Sequence, residues 1–203
     1  MSQLHNTLEI IRQNAKNETE LGSAFESLAK VFLENDATQT QQYSKVWHYG
    51  DWAKNQKGYS KKDIGIDLIA KLRDEDGYCA IQCKFYQSDH SISKADLDSF
   101  ISASSTSDFK RLMLIDTSTQ PISQNAQQVF DNLSQEYIRI QLSELEESRI
   151  DWSSYINDGS LKLHSKKELR DHQIKALNAI RDGLKNNDRG KMIMACGTGK
   201  TLT

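Results

Sequence analysis

Three residues in two nearby stretches carry groups that could act together. Asp67 ends "GID" at residues 65–67, and Gln82 and Lys84 bracket Cys83 in "QCK", with fifteen residues from Asp67 to Gln82. Lys84 sits inside "GYCAIQCKFY", which reads as a β-strand. A bare ammonium drawn into a low-dielectric interior costs several kcal/mol even after relaxation, so Lys84 must face water or something negative. A carboxylate, an amide oxygen and an ammonium converging on one small area are what metal-assisted phosphodiester hydrolysis requires. Mg2+ favours one or two carboxylates and keeps several waters. A bound metal lowers the pKa of its water and polarises the phosphoryl oxygen. A lysine orients that water and offsets charge on the pentacovalent phosphorus.

The elements that must position these groups are two strands, 63–72 and 78–86, joined through "RDEDG". Asp76-Gly77 is a hairpin signal. A two-residue turn there sets Ile69 opposite Lys84, whereas a four-residue turn over 74–77 sets Asp67 opposite Lys84. The face sorting is the same in both registers. One face carries Ile64, Ile66, Leu68, Ala70 and Leu72 with Cys79, Ile81, Cys83 and Phe85, all apolar and expected in the core. The other carries Asp67, Ile69 and Lys71 with Ala80, Gln82, Lys84 and Tyr86. Asp67 and Lys84 are then cross-strand neighbours, roughly 5–8 Å apart between Cβ atoms. The alternative is a half-buried hairpin with a solvated polar face and an incidental Asp–Lys pair.

The chain around this hairpin has 203 residues, 37% hydrophobic and 27% charged, enough apolar mass for one core. Leu4, Leu8 and Ile11 mark a short helix, and Leu21, Phe25, Leu28 and Phe32 a firm amphipathic one. Residues 37–62 are irregular, with a strand possible in "QYSKVWHY". A helix is expected near 94–102, a strand at 111–116, a helix around 123–133 and a strand at 137–141, an α/β order. The acidic run 143–160 looks like a domain edge, so the expected division is a first domain over 1–150, a linker over 151–166 and a second domain from 167. There a helix over 167–185 feeds a short apolar strand, "MIMAC". No run approaches 18 apolar residues and no signal peptide opens the chain, so the cytoplasm and no membrane are expected. Three cysteines do not form a disulfide framework. Cys79 and Cys83, about 13 Å apart in an extended strand, cannot share an ion, and the five histidines show no ligand spacing.

Net charge is −2 overall, but residues 45–62 hold five lysines against Asp51 alone. Lys54, Lys57, Lys61 and Lys62, interleaved with Tyr49, Trp52 and Tyr59, lead straight into Asp67. Such a loop offers a path for a nucleic-acid backbone. Equally, the aromatic residues can simply cover the core.

"GID" followed by "QCK" resembles the PD-(D/E)xK nuclease core, and more specifically the Mrr-like restriction endonucleases. Their G-x-x-F-E helix is matched by Gly22, Phe25 and Glu26. The resemblance spans roughly 20–140. It implies a restriction-endonuclease-like α/β fold, a mixed central sheet flanked by helices, acting on double-stranded DNA with Mg2+, for which Mn2+ can substitute. It also implies an active-site set of Glu26, Asp67, Gln82 and Lys84, with Asp67, Gln82 and the Cys83 carbonyl as metal ligands. Gly22, one helical turn before Glu26, leaves room for a close approach. Gln82 departs from the commoner acid at that position and donates less charge to a metal. A catalytically inactive DNA-binding module on the same fold is the competing reading.

"MACGTGKTLT" ends the sequence. Gly197, Thr198 and Gly199 supply backbone N–H groups that cradle phosphates, Lys200 reaches the β/γ-phosphates and Thr201 holds Mg2+. Met194 replaces the first glycine of the general pattern. The segment resembles motif I of superfamily 2 helicases and translocases. "LRDHQIKAL" resembles their adenine-reading element, with Gln173 on the base. The resemblance implies the opening of a RecA-like, ATP-using motor, expected to be inactive in this chain because the Walker B acid and second lobe are absent from it. An Mrr-like nuclease ahead of such a motor resembles the single-polypeptide type ISP restriction–modification enzymes. That implies fused methyltransferase and target-recognition domains and a second nuclease domain supplied in trans.

Overall fold

The computed structural model describes residues 3–60, 65–165, 171–185 and 189. The chain divides into two compact units, Met1–His164 and Ser165–Thr203.

The first unit opens with α1 (Gln3–Asn14) and α2 (Glu18–Asn35). Asn17 caps α2, its side chain accepting from the Glu20 N–H at 2.9 Å, and Glu18 and Glu20 complement the positive end of the helix. The expected apolar stripe is buried through Phe25, Leu28 and Phe32, joined by Ala29 and Leu33. A short α3 (Gln39–Gln42) leads to β1 (Tyr43–His48) and α4 (Tyr49–Ala53). The hairpin follows as β2 (Leu68–Leu72) and β3 (Tyr78–Lys84). Then come α5 (Asp98–Ser104), β4 (Phe109–Asp116), α6 (Gln124–Asp131) and β5 (Glu136–Ile140). The strands form one sheet in chain order. β1–β2 and β2–β3 are antiparallel, whereas β3–β4 and β4–β5 are parallel. Parallel neighbours need crossover connections, and α5 and α6 lie within them.

Those crossovers overturn one expectation. The face with Ile69, Ala80 and Gln82 is not solvated. Ile69 and Ala80 are fully buried with Trp52, Phe100 and Phe109, while Leu68, Ala70, Cys79 and Ile81 pack on the opposite face against α1 and α2. A sheet with parallel strands is covered on both sides, so the half-buried hairpin is excluded. Ile66, expected with Leu68, packs in the second cluster instead.

The turn also differs. Lys71 pairs with Tyr78 and Leu68 with Ile81, and the Leu72 N–H donates to the Gly77 carbonyl at 3.2 Å. The loop is therefore 73–76, one residue earlier than the longer turn considered above. Ion pairs accompany it, Lys71 to Asp76 and Arg111 to Asp74.

The unit does not stop at 150. Beyond α7 (Leu142–Glu147), the segment expected as a linker forms α8 (Trp152–Asp158), capped by Asp151 and packed on α1. Trp152 is 2% exposed. Acidic and serine residues on the solvent side masked the apolar anchors Leu145, Ile150 and Trp152. In the second unit, α9 (Asp171–Leu184) lies within the helix expected over 167–185. "MIMAC" lies outside the described residues. Among the described residues no helix is long and apolar enough to cross a membrane.

Candidate active site

Asp67 lies just before β2, where the chain swings out of register. Its N–H donates to the Ile81 carbonyl at 2.9 Å, and its own carbonyl accepts from the Tyr49 N–H at 2.8 Å. Its carboxylate accepts from the Cys83 N–H at 2.6 Å through Oδ2. Asp67 thus grips the two residues that flank Gln82. This replaces both registers considered for the hairpin, which set either Ile69 or Asp67 opposite Lys84. The swing depends on Gly65, at φ +88°, a left-handed conformation. A Cβ there would sit 2.6 Å from Ser99 Oγ and 2.8 Å from the Phe100 backbone nitrogen at the start of α5. Gly65→Ala is expected to cost about 1–3 kcal/mol in urea unfolding, from backbone strain alone. A loss under about 0.5 kcal/mol would show that the turn does not need glycine.

Gln82 is 4% exposed, and its Oε1 has no hydrogen-bond partner among the described residues. An orphaned buried acceptor is costly, and the Asp67 carboxylate is held by the N–H of the next residue along β3. Lys84, two residues on, is half-buried. Its ammonium lies 5.9 Å from the Tyr86 ring centroid and makes no ion pair among the described residues.

Glu26 projects from α2, and its side chain is 26% exposed. Oε2 is 3.9 Å from His48 Nδ1, and Oε1 is 4.0 Å from where a Cβ on Gly22 would lie. A Cβ at Gly22 would make only an ordinary contact there, so the space over the carboxylate does not depend on glycine. Burial, and after it Lys30, hold the His48 ring below its ordinary pKa, so it is a weak cationic partner for Glu26. The Cys83 thiol registers the surrounding charges. Burial pushes it well above its usual value, the Asp67 and Glu26 carboxylates push further, and Lys84 pulls it back. Asp67, Glu26 and Lys84 therefore surround one point of β3.

Among the described residues no three His, Cys, Asp or Glu side chains form a metal-binding group. A donor set of one carboxylate, one amide oxygen and one carbonyl would not produce such a group. It suits a hard cation that keeps most of its waters.

The basic loop is only partly described. Lys54 is exposed and paired with Asp51 at 2.5 Å, and Lys57 is exposed, while Lys61 and Lys62 lie outside the described residues. Tyr49 and Trp52 are each 3% exposed in the second core cluster, and the Tyr59 hydroxyl donates to Asp108. Of the two readings of these aromatic residues, covering the core is the one the structure bears out. In the second unit Gln173 is buried on α9, and Gly197, Thr198, Gly199, Lys200 and Thr201 lie outside the described residues.

Two residues beside the site carried no expectation. Asp116 ends β4 in register with Lys84, and Arg139 of β5 grips its carboxylate at 2.7 and 3.0 Å. The only signal in the sequence was an acid ending the apolar run "LMLID".

Comparison with known proteins agrees with this geometry. A family model described as a restriction endonuclease (Mrr_cat_2) matches residues 34–161, and one described as the res subunit of type III restriction enzymes matches 166–203. A solved structure of the ATP-dependent type ISP restriction–modification enzyme LlaBIII bound to DNA is similar, with a TM-score of 0.66 and 29% identity over 96% of this chain. The chain spans 12% of the length of that protein. The modification-dependent endonuclease AspBHI (TM-score 0.45, 15% identity, 90% of this chain and 40% of that one) and MspJI with an oligonucleotide (0.45, 16%, 77% and 33%) are too distant to bear on function. No curated protein sequence matches. The mixed five-stranded sheet with flanking helices has the restriction-endonuclease-like fold, and with more than half its length matched, the chain belongs to the Mrr_cat_2 restriction endonuclease family.

Proposed function

We propose that the first unit is a Mg2+-dependent DNA endonuclease domain, working in the cytoplasm as part of an ATP-dependent translocating restriction enzyme. The observation that carries the reading is the buried Gln82 Oε1, which has no hydrogen-bond partner among the described residues and lies next in sequence to the Cys83 N–H that holds the Asp67 carboxylate, two residues before Lys84. Asp67, Gln82 and the Cys83 carbonyl would hold the metal, which when bound polarises the scissile phosphate and acidifies water. The Cys83 N–H fixes the Asp67 carboxylate before substrate arrives, so no reorganisation is needed at the moment of reaction. Lys84 donates to the attacking water and to the phosphoryl oxygens as negative charge builds there. The water oxygen bonds to phosphorus and gives a proton to solvent, while the bond to the departing sugar oxygen breaks and that oxygen takes a proton from solvent. Glu26 stands further out as a second acid that accepts from water.

Lys54 and Lys57, with Lys61 and Lys62, would follow the DNA backbone. The LlaBIII structure holds DNA, which favours double-stranded DNA as substrate here. Cutting both strands would take a second nuclease domain in trans. The segment from 167 would open the ATPase, with Gln173 and residues 197–201 on the nucleotide and the motor, methyltransferase and target-recognition parts in a longer chain.

Gln82 in place of an acid favours one second reading, a DNA-gripping module without catalysis. Plasmid nicking separates the two. Nicks are expected with Mg2+ or Mn2+ and none with EDTA. Equal DNA binding in metal and EDTA, with no nicking even when the chain is extended through the motor and given ATP, would leave the module.

A further inference from the structure

Asp116 is fully buried at the end of β4, with its carboxylate completely engaged. Arg139 Nε donates to Oδ2 at 2.7 Å, Arg139 Nη2 to Oδ1 at 3.0 Å, and the Ser118 N–H to Oδ1 at 2.9 Å. In the parallel register Asp116 is the direct partner of Lys84. Neighbouring strands lie about 4.8 Å apart and partnered side chains share a face. The acid in register with Lys84 is thus one that Lys84 does not pair with.

We infer that Arg139 is a positioning residue for cleavage, holding the Asp116 carboxylate so that Lys84 stays unclaimed. This rests on the assignment of Lys84 to catalysis proposed above. The acid has its own task, because it anchors the turn after β4. Ser118 donates to it, and Arg139 Nη2 also binds the Gln120 carbonyl at 3.0 Å. That turn is stitched to the segment following Lys84. The Thr117 N–H donates to the Lys84 carbonyl at 3.2 Å, Thr117 Oγ1 to the Tyr86 carbonyl at 2.6 Å, and the Thr119 N–H to the Ser88 carbonyl at 2.9 Å. A buried carboxylate in that place must have a cation. Without Arg139, the cation in register is Lys84. A planar guanidinium takes both oxygens in a fixed fork, which an ammonium cannot do. The arginine therefore satisfies the acid and spares the lysine.

The test compares Arg139→Gln with the double variant Asp116→Asn/Arg139→Gln in the whole chain, by plasmid nicking, thermal melting and crystal structure. In Arg139→Gln the Lys84 ammonium is expected within about 4 Å of the Asp116 carboxylate, with nicking down on the order of 100-fold. In the double variant the asparagine oxygen still accepts from Ser118, nothing captures Lys84, and nicking is expected within about threefold of wild type. If Arg139→Gln does not fold, Arg139→Lys, which keeps the charge but loses the fork, is expected between wild type and inactive. A variant structure with Lys84 away from Asp116, or a folded double variant with no recovery, overturns the inference. Wild-type protein that shows no Asp67-dependent nicking, even when extended through the motor and given ATP, defeats the nuclease reading and this inference with it. Failure confined to the variants defeats only the role of Arg139.

Discussion

Asp67→Asn is expected to lower metal-dependent nicking by at least about 1,000-fold while the protein remains folded. The substitution is nearly isosteric, and its oxygen can still accept from the Cys83 N–H, which donates to the carboxylate at 2.6 Å. The backbone bonds from Asp67 to Ile81 and from Tyr49 to Asp67 do not involve the side chain. Stability should change by less than about 1.5 kcal/mol, the scale of a single net hydrogen bond. What disappears is the negative charge held on the Cys83 N–H, and of the three proposed metal ligands only Gln82 and the Cys83 carbonyl, both neutral, remain. Nicking within tenfold of wild type, by a variant whose melting curve matches wild type, would place the metal elsewhere.

Trp152→Ala should cost about 3–5 kcal/mol, the range for truncating a large buried aromatic. Domains are stable by only about 5–15 kcal/mol, and for a unit of this size the loss amounts to a Tm lower by roughly 10 °C. Trp152 is 2% exposed, its Nε1 donates to the Leu145 carbonyl at 3.1 Å, and it belongs to the same cluster as Leu4, Leu8 and Phe25. Truncation removes that apolar surface and one hydrogen bond to the Leu145 carbonyl, which still accepts from Ser148. Urea unfolding followed by fluorescence measures the loss. A cost under about 1 kcal/mol would return residues 151–164 to the status of a linker.

The spacing of the candidate residues was legible for a physical reason. Gln82 and Lys84 share a face of β3 because strand parity survives errors in the turn, whereas Asp67 precedes β2 out of register, and its bonds to Ile81 and Cys83 could not be read from parity. The register itself is carried by the backbone pairing of Leu68 with Ile81 and of Leu72 with Gly77, which no local pattern displays. Burial of the second face was hidden because Phe100 and Phe109 reach it through a crossover connection. The pairing of Asp116 with Arg139 spans 23 residues and requires the parallel β4–β5 register. The G-x-x-F-E helix, by contrast, was readable because its stripe and its acid lie on one short segment.

The packing of α1 against α8 has a consequence for synthesis. Gln3 Nε2 donates to Asp151 Oδ1 at 2.7 Å, so the first helix of the unit closes against nearly its last. During translation Leu4, Leu8 and Ile11 lack part of their burial until Trp152 has left the ribosome. At about 5–20 residues per second that interval lasts roughly 8–30 s. The nascent nuclease cannot complete its core before then. The candidate site on β3 therefore gains its complete support only when chain growth has passed the whole unit.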